Sequence, residues 1–332
     1  MTGAVSPVEL EESFAGSAEP FRRELLAHCY RMTGSLHEAE DAVQETLLRA
    51  WRSYANFDPS RASLRTWLHR IATNTCLNAL EKRQRRPLPS ALSAPSSTPA
   101  LSPPTDIAWL EPLPDALVSA GEDPANLVVE RGSVRLAFVA ALQHLPPRQR
   151  AVLLLREVLA WPAAEVADAL GTTVPAVNSA LQRARAQLEA ASPREDDLLE
   201  PGDPVLREVV ERYMRAFEEA DASALVELMR EDIVVEMPPS PTWYAGRVAA
   251  SAFTSGVFSA RGAGWRRTRL TGANGQPAVA MYMLHEDGAF YGRHVQVLSI
   301  TAGGLSRIVA FDWPGMLPDF GLPEVLPATE GP

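Results

Sequence analysis

A short helix, a glycine and a longer helix follow one another in residues 161–188, and this order constrains the fold more than any other feature of the sequence. Gly171 stands between the two helical patterns, at the point where a tight turn needs a positive φ. Thr173 can cap the second helix, and Pro175 is tolerated in its first turn. The apolar residues of this helix form one inner stripe, made of Val177, Leu181, Ala184 and Leu188. Its outer face is polar and carries Asn178, Ser179, Gln182, Arg183 and Arg185.

Turn, cap, stripe and polar face together predict a helix-turn-helix, whose second helix can enter a DNA major groove. A helical hairpin that reads no DNA is the alternative. The formal charge of the chain is −10, although nucleic-acid-binding proteins are usually basic. Basic residues are nevertheless in excess over 61–86 (net +6), whereas 191–332 is acidic (net −8). If DNA is bound, we expect its affinity to be local or to depend on a partner.

Length and composition exclude several classes of protein. A chain of 332 residues suggests two to three domains. No run of 18 apolar residues is present, which argues against a membrane span, and residues 1–20 carry four Glu and no Lys or Arg, which argues against a secretory signal. Two cysteines, Cys29 and Cys76, are too few for a disulfide framework or a four-cysteine zinc site. We therefore expect a cytoplasmic protein with no metal and no cofactor.

The first helical block contains a helix over 38–54, EAEDAVQETLLRAWRSY. Its apolar stripe consists of Ala39, Val43, Leu47, Ala50 and Tyr54. Asp41, Gln44, Glu45 and Leu48 fall on another face of the helix. Acidic side chains beside a protruding leucine suit docking against a basic helical partner, and a merely solvated face is the alternative.

A second helix follows in FDPSRASLRTWLHRIATNTCLNALEKRQRR, with Ser60 or Ser63 as its cap. Its inner stripe consists of Leu64, Leu68, Ile71 and Thr75. Polar and basic side chains lie off this stripe or at the end of the helix, namely Arg65, Arg70, Asn74, Asn78, Lys82, Arg83, Arg85 and Arg86. Arginines suit phosphate contacts, Asn and Arg read base edges, and Trp67 can stack on an unpaired base. A basic, solvated helix end with a core tryptophan is the alternative.

Two linkers divide the chain. Residues 87–125 are rich in Pro and Ser and hold five acids and no basic residue, which favours an extended, unpacked acidic linker. Its 39 residues can span up to about 130 Å. A second, short linker at 191–203 precedes helices and β-like runs at 233–237, 278–284, 289–300 and 305–313.

The two helical blocks resemble an extracytoplasmic-function (group IV) sigma factor of bacterial RNA polymerase. AEDAVQETLLRAWRSYANFD, RTWLHRIATNTCLNALEKRQRR and LPPRQRAVLLLREVLAWPAAEVADALGTTVPAVNSALQRARAQL carry the resemblance. It implies an all-α region 2 over 17–86, the linker over 87–125, and an all-α helix-turn-helix region 4 over 126–190. One departure is Asn178-Ser179-Ala180, where many relatives have Lys-Ser-Arg, which puts the individual minus-35 contacts in doubt.

The resemblance also implies roles for the polar faces. Asp41, Gln44, Glu45 and Leu48 would dock on the clamp helices of the polymerase β′ subunit. The minus-10 element would be bound by Arg65, Trp67, Arg70, Asn74, Asn78, Lys82, Arg83 and Arg85. The minus-35 element would be bound by Thr172, Thr173, Asn178, Ser179, Gln182, Arg183 and Arg185.

Residues 204–320 resemble the SnoaL-like, ketosteroid-isomerase-like cone, an α+β fold with a helix pair and a curved sheet around a pocket. Tyr213 stands at the place of the isomerase tyrosine, but Met237 and Gln296 stand where the resemblance implies carboxylates, so we predict no catalytic residue. The candidate pocket residues are Tyr213, Trp243, Tyr244, Phe253 and Gln296. Four other polar residues of the β-like runs are expected at the core or rim, since no HxH or HExxH spacing exists; they are Glu236, His285, His294 and Asp312.

We therefore interpret the chain as a promoter-specificity subunit that binds core RNA polymerase and promoter DNA, is not an enzyme, and is regulated in cis by its C-terminal cone. Two alternatives remain: a free-standing helix-turn-helix regulator, and a small-molecule-binding or hydrolase-like enzyme fused to a DNA-binding module. A small-molecule ligand and an anti-sigma factor are both conceivable partners that the sequence does not identify.

Overall fold

The computed structural model describes residues 14–81, 85–118, 132–191, 198–200 and 202–327. The chain divides into two compact units. The helical unit comprises Met1–Arg86 and Leu117–Ser192, and the sheet unit comprises Pro87–Ala116 and Pro193–Pro332. Within the described ranges, no helix is long and apolar enough to cross a membrane.

Three packed helices form the first part of the helical unit: α1 (Arg22–Thr33), α2 (Leu36–Ser53) and α3 (Leu64–Leu80). The Ser35 hydroxyl accepts a hydrogen bond from the Glu38 amide at 3.2 Å and so caps α2. Ser63 caps α3 in the same way through the Thr66 amide at 3.1 Å, which settles the choice left open between Ser60 and Ser63. Both helices therefore begin where side-chain caps satisfy their first amides.

The inner faces of α2 and α3 follow the predicted stripes in part. On α3, Leu68 and Thr75 are buried as expected, whereas Leu64 and Ile71 are only partly buried. Ala39, Val43 and Ala50 of α2 are buried as expected, whereas Leu47 is only half-buried and Thr46 is fully buried in its place. Thr46 is tolerated there because its hydroxyl donates to the Ala42 carbonyl at 2.6 Å. The two free cysteines are also fully buried, one in α1 and one in α3, as small core residues.

The second part of the helical unit contains three short helices, α4 (Leu136–Leu142), α5 (Pro147–Leu153) and α6 (Ala163–Ala169), and the longer α7 (Val174–Ala191). A π-helical turn, Leu154–Val158, continues α5. Gly171 has φ +59° between α6 and α7, as the turn prediction required. Val177, Leu181 and Ala184 are buried, and Leu188 is partly buried, so the predicted stripe of α7 is confirmed.

A buried arginine joins the two parts of the helical unit. The Arg150 guanidinium of α5 donates to the Met32 carbonyl of α1, to Gln143 Oε1 at 2.8 Å and to the Leu145 carbonyl at 3.2 Å. Burial lowers the pKa of Arg150 to about 10, so the group stays charged at neutral pH. Its charge is dispersed over three oxygen acceptors, so Arg150 has a structural role that connects the two parts of the helical unit.

The sheet unit contains three helices, α8 (Pro204–Glu219), α9 (Ala222–Glu227) and α10 (Arg247–Ala260). Its seven strands are β1 (Met229–Glu236), β2 (Trp243–Ala245), β3 (Arg266–Ala273), β4 (Gln276–Leu284), β5 (Phe290–Thr301), β6 (Gly304–Phe311) and β7 (Val325–Leu326). The strand order is β2-β1-β6-β5-β4-β3, and β7 pairs with β5. Only β1 and β6 pair in parallel among these neighbours.

All four β-like runs of the sequence are strands, and the α+β fold class is confirmed. Helices α8 and α10 pack on the sheet and leave one apolar core between them and the strands. Asp203 caps α8 through the Val205 amide at 2.8 Å, and Asp221 caps α9 through the Ala224 amide at 3.0 Å. Both helices of this pair therefore begin at a capping aspartate. The curved sheet surrounds a cavity.

The expectation of an unpacked linker is wrong for the described residues 85–118. Leu88, Trp109, Leu110 and Leu113 are buried, and the segment makes hydrogen bonds to the sheet unit along its length. The prediction failed because it rested on the high Pro and Ser content of the segment and gave no weight to these four apolar residues. The prolines also bring no amide that would need a partner, which makes docking of an irregular segment easier. Glu122 and Asp123, two of its five acids, lie outside the described residues.

We predict that Arg150→Met destabilises the protein by about 3 kcal/mol, because three buried acceptors lose their donor. Chemical denaturation followed by circular dichroism measures this change. Arg148→Met is the matched control, since Arg148 lies on the same helix and is exposed. Equal stability of the two variants would contradict the role given to Arg150.

Candidate functional site

The predicted polymerase-docking face lies on α2. Asp41 and Gln44 are exposed, and Leu48 is 46% exposed, which is unusual for a leucine on a packed helix. Glu45 is ion-paired with Arg49 at 2.6 Å, and both side chains remain over 40% exposed. The four predicted residues therefore share one accessible surface with an apolar centre and an acidic rim.

On α3, the Arg65 side chain forms an ion pair with Glu24 of α1. Trp67 belongs to an aromatic cluster with Phe57 at 4.9 Å between ring centroids, and Tyr54 stacks on Phe57 at 6.1 Å. Trp67 is half-buried in this cluster, so one part of its ring is supported and another part is accessible. A ring held this way can offer a face to a base without first having to be ordered.

Two further predicted minus-10 residues contact the helix-turn-helix. Arg70 Nη1 lies 2.6 Å from Asp168 Oδ2, and Asn74 Nδ2 lies 3.5 Å from the Ala169 carbonyl. Both partners belong to α6, the first helix of the helix-turn-helix. Trp67, Arg70 and Asn74 thus line a polar cleft whose opposite wall is formed by Trp161 and α6. The sequence does not predict this contact, because Arg70 and Asp168 are 98 positions apart and no local pattern links them.

The remaining predicted minus-10 residues are spread along the end of α3 and beyond it. Asn78 is exposed, and the exposed Arg85 contacts His144 Nδ1 at 3.3 Å. Lys82 and Arg83 lie outside the described residues.

The predicted minus-35 residues lie together at the start and on the outer face of α7. All seven are exposed: Thr172, Thr173, Asn178, Ser179, Gln182, Arg183 and Arg185. Thr173 Oγ1 accepts from the Ala176 amide at 3.4 Å, as expected for a cap. Arg185 is paired with Glu157, whereas no ion pair of Arg183 is described. The geometry is that of a helix presenting a continuous polar face with a free N-terminal end.

The sheet unit encloses a cavity of about 730 Å³. Of the five predicted pocket residues, Tyr213, Phe253 and Gln296 line it. Trp243 and Tyr244 do not, and this part of the prediction is wrong. Trp243 Nε1 instead donates to the Ser93 carbonyl of the linker at 2.9 Å, and Tyr244 is buried behind the cavity wall, stacked on Phe253 at 4.7 Å.

The missed wall of the cavity comes from the linker. Leu101, Ser102 and Pro104 line it, although they stand far from the cone in the sequence. No signal in the sequence assigns them, since a Pro/Ser-rich segment has no periodicity. Met237, where the resemblance implied a carboxylate, also lines the cavity.

Five polar residues of the cavity wall contact one another in two groups, Tyr213–Gln296–His294 and Arg293–Asp312. The Tyr213 hydroxyl donates to Gln296 Oε1 at 2.6 Å, and Gln296 Nε2 lies 3.0 Å from His294 Nε2. Burial lowers the pKa of His294 to about 4, with Arg293 and Arg266 adding to the effect, so the ring is neutral at pH 7. Asp312 is paired with Arg293 at 3.0 Å.

The other two polar residues of the β-like runs are His285 and Glu236. His285 lines the cavity but its side chain is 66% exposed, whereas Glu236 is fully buried and does not line the cavity. Its carboxylate is paired with Arg307 at 2.6 Å. Among the described residues, no group of three or more His, Cys, Asp or Glu side chains is placed to hold a metal ion.

Three sequence families match successive parts of the chain. Sigma-70 region 2 matches residues 18–86, Sigma-70 region 4 matches residues 135–188, and the SnoaL-like domain matches residues 210–313. The order of the three matches is the order that the resemblance implied.

Relatives of the whole chain carry the same assignment. The chain is 53% identical over 321 residues to the ECF RNA polymerase sigma factor SigG of Mycobacterium tuberculosis, covering 96% of this chain and 86% of SigG. It is 27% identical over 301 residues to the probable ECF sigma factor SigI of the same organism, covering 89% and 92%.

The crystal structure of the extracytoplasmic function sigma factor SigJ of Mycobacterium tuberculosis has the same fold, with a TM-score of 0.63 at 24% identity, over 93% of this chain and 100% of that one. Fold, matched families and an identity of 53% over nearly the whole length agree, and the protein belongs to the ECF RNA polymerase sigma factors.

Proposed function

We propose that the protein directs promoter-specific transcription by docking on core RNA polymerase through α2, binding the minus-10 element through α3 and the minus-35 element through α7. It is an initiation factor and not an enzyme, as expected of its family. Since promoter DNA and polymerase are its partners, we place its action in the cytoplasm. The observation that carries the proposal is the joint presence, on one helical unit, of the exposed α2 face and the exposed polar face of α7.

The contact between α3 and α6 supports a further step before promoter binding. Arg70 and Asn74 cannot bind DNA while they hold Asp168 and the Ala169 carbonyl. The Arg70–Asp168 pair is 46% and 74% exposed, and exposed ion pairs contribute little to stability. We infer that the two helical parts separate at this cleft when the protein meets polymerase and promoter, and that the separation requires little free energy at this contact.

We also propose that the sheet unit regulates the sigma regions in cis by holding the linker between them. At its start, the Ser90 amide donates to Glu236 Oε1 at 2.8 Å. In its middle, the Ser96 amide donates to the Trp243 carbonyl at 2.8 Å, and the Ser102 amide donates to Thr242 Oγ1 at 2.9 Å. A free chain of this length can stretch to separate two DNA-reading regions, whereas a docked chain cannot.

The end of the linker is held most closely. The Leu113 amide donates to Asn274 Oδ1 at 3.0 Å, and the Asn274 amide donates back to the Leu113 carbonyl at 2.8 Å. Asp115 Oδ1 accepts from the Gly275 amide at 2.7 Å. A Cβ on Gly272 would lie 2.5 Å from Asp115 Oδ2, so a side chain at position 272 would displace the Asp115 carboxylate from this contact.

We predict that Asp41→Arg weakens binding to core polymerase by about tenfold or more, because a cation would face the basic helical partner proposed for α2. Fluorescence polarisation of the labelled full-length protein, titrated with core polymerase, measures this. Glu208→Arg is the matched charge reversal, on the exposed face of α8. Unchanged binding by Asp41→Arg, or an equal loss in both variants, would reject the docking face.

For α7 we predict two different outcomes. Arg183→Ala should weaken binding to all promoter sequences alike and lower the salt dependence by about one phosphate contact, because its exposed guanidinium suits the DNA backbone. Asn178→Ala should change the preference at one base pair, because an amide can read a base edge. Binding of a minus-35 duplex library at several salt concentrations measures both. Identical effects of the two substitutions would contradict the assignment.

We predict that Gly272→Ala increases run-off transcription several-fold, because displacing Asp115 releases the end of the linker. Polymerase affinity should not change, since α2 is untouched. Gly262→Ala is the matched control, because a Cβ there meets nothing within 4 Å. If both variants transcribe like the unmodified protein while Gly272→Ala frees the linker to proteolysis, cis regulation through the linker is wrong.

A further inference from the structure

The cavity of the sheet unit is large enough for a small organic molecule and is lined mainly by apolar side chains. Its volume of about 730 Å³ lies within the range of ligand sites in proteins. Phe217, Met229, Val235, Met237 and Val257 supply its apolar surface. Water in such a cavity would find few hydrogen-bond partners, so an apolar occupant is favoured.

The polar end of the cavity presents a donor of defined direction. Because the Tyr213 hydroxyl donates to Gln296 Oε1, the Gln296 amide group must donate to His294 Nε2. The neutral His294 ring then carries its proton on Nδ1. No hydrogen bond of Nδ1 is described within residues 202–327 or the docked linker, so this N–H is available to an acceptor atom of a ligand.

The charged groups near the cavity do not favour a charged ligand. The Arg266 guanidinium donates to the carbonyls of Arg261 at 3.1 Å and Val257 at 3.0 Å, and lies over the Phe258 ring at 5.0 Å. The carboxylate of Asp312 is balanced by Arg293. Arg266 has no carboxylate partner among the described ion pairs, but its side chain is only 4% exposed. An anionic ligand would therefore have to shed its water while making little contact with this charge, which is unfavourable.

The linker forms the remaining wall. Leu101, Ser102 and Pro104 line the cavity, held in place by the Ser102 amide on Thr242 Oγ1 and by the Thr105 amide on the Pro239 carbonyl at 3.1 Å. A molecule that reaches this wall contacts the segment that joins the two sigma regions along the chain. Binding of such a molecule and docking of the linker then affect each other reciprocally.

We propose that this cavity is a receptor site for a neutral, largely apolar molecule with a carbonyl-type acceptor, and that the bound molecule fixes residues 101–104 of the linker against the sheet unit. His294 donates to the acceptor, and the apolar walls hold the rest of the molecule. Such a molecule would be the ligand for the cis regulation proposed above. The effect of binding on transcription rests on that proposed function, whereas binding itself does not.

The first test titrates the full-length protein with prodan, a neutral fluorescent naphthyl ketone whose emission shifts in apolar surroundings. Saturable binding of one probe per chain is expected. His294→Phe, which keeps a ring but removes the donor, should weaken the probe by about five- to tenfold. His285→Phe is the matched control, since His285 also lines the cavity but its side chain is 66% exposed. No saturable binding, or an equal effect of both substitutions, would overturn the proposed site.

The second test asks whether the linker belongs to the site. Ser102→Cys and Ser97→Cys each add one exposed thiol to the same linker, one at the cavity and one away from it. Cys29 and Cys76 are 0% exposed, so the new thiol is the one that reacts with a maleimide. With prodan at about ten times its Kd, labelling at position 102 should slow about tenfold, while position 97 reacts as before. If the probe is bound and the labelling rate at position 102 is the same with and without it, the coupling between ligand and linker is overturned.

Run-off transcription with the same preparations distinguishes a failure of the receptor site from a failure of the proposed sigma function. Transcription from a promoter without probe binding would reject the receptor site and leave the sigma function standing. Probe binding and protection of position 102 without any transcription, with active core polymerase, would keep the receptor site and reject the proposed function.

Discussion

Glu236 is a fully buried carboxylate, and the way it is satisfied ties the linker to the sheet unit. A buried charge needs a counter-charge and hydrogen bonds to its remaining lone pairs. Arg307 supplies the charge at 2.6 Å, and the amide of Ser90 supplies a hydrogen bond at 2.8 Å. Detaching the start of the linker would leave one oxygen of the carboxylate short of a donor in the interior. The linker is therefore attached at its start because the buried Glu236 carboxylate needs the Ser90 amide as a donor.

This constraint changes what a connection between two DNA-reading regions can do. A flexible linker sets only a maximum distance, whereas a docked one contributes its ends at fixed positions on a folded surface. The match to region 2 ends at Arg86, and the docked segment begins at the next residue, Pro87. Under the cis regulation proposed above, a change in how the sheet unit holds residues 87–116 acts on the first sigma region through this covalent connection, at a high effective concentration.

The sequence predicted most where one physical signal repeats. Helical periodicity and a positive-φ glycine were sufficient for the helix-turn-helix, and side-chain caps located the starts of α3 and α7. The linker was mispredicted because docking of an irregular segment leaves no period, only scattered residues such as Trp109 and Leu113. Trp243 was misassigned for a related reason: its indole serves the linker, a partner 150 positions away that no local pattern reveals. The contact of Arg70 with Asp168 was invisible for the same reason.

The cavity shows how a cone of this kind can keep binding while lacking catalysis. Carbon-acid proton transfer needs a base that takes up a proton and a group that stabilises the resulting anion. Met237 can do neither, and the Gln296 amide can pass on a hydrogen bond from Tyr213 but does not titrate. What remains is an ordered row of hydrogen bonds ending in a neutral histidine, inside apolar walls. Such a row can donate a hydrogen bond to an acceptor atom without altering it, and this is the recognition that we propose for the cavity.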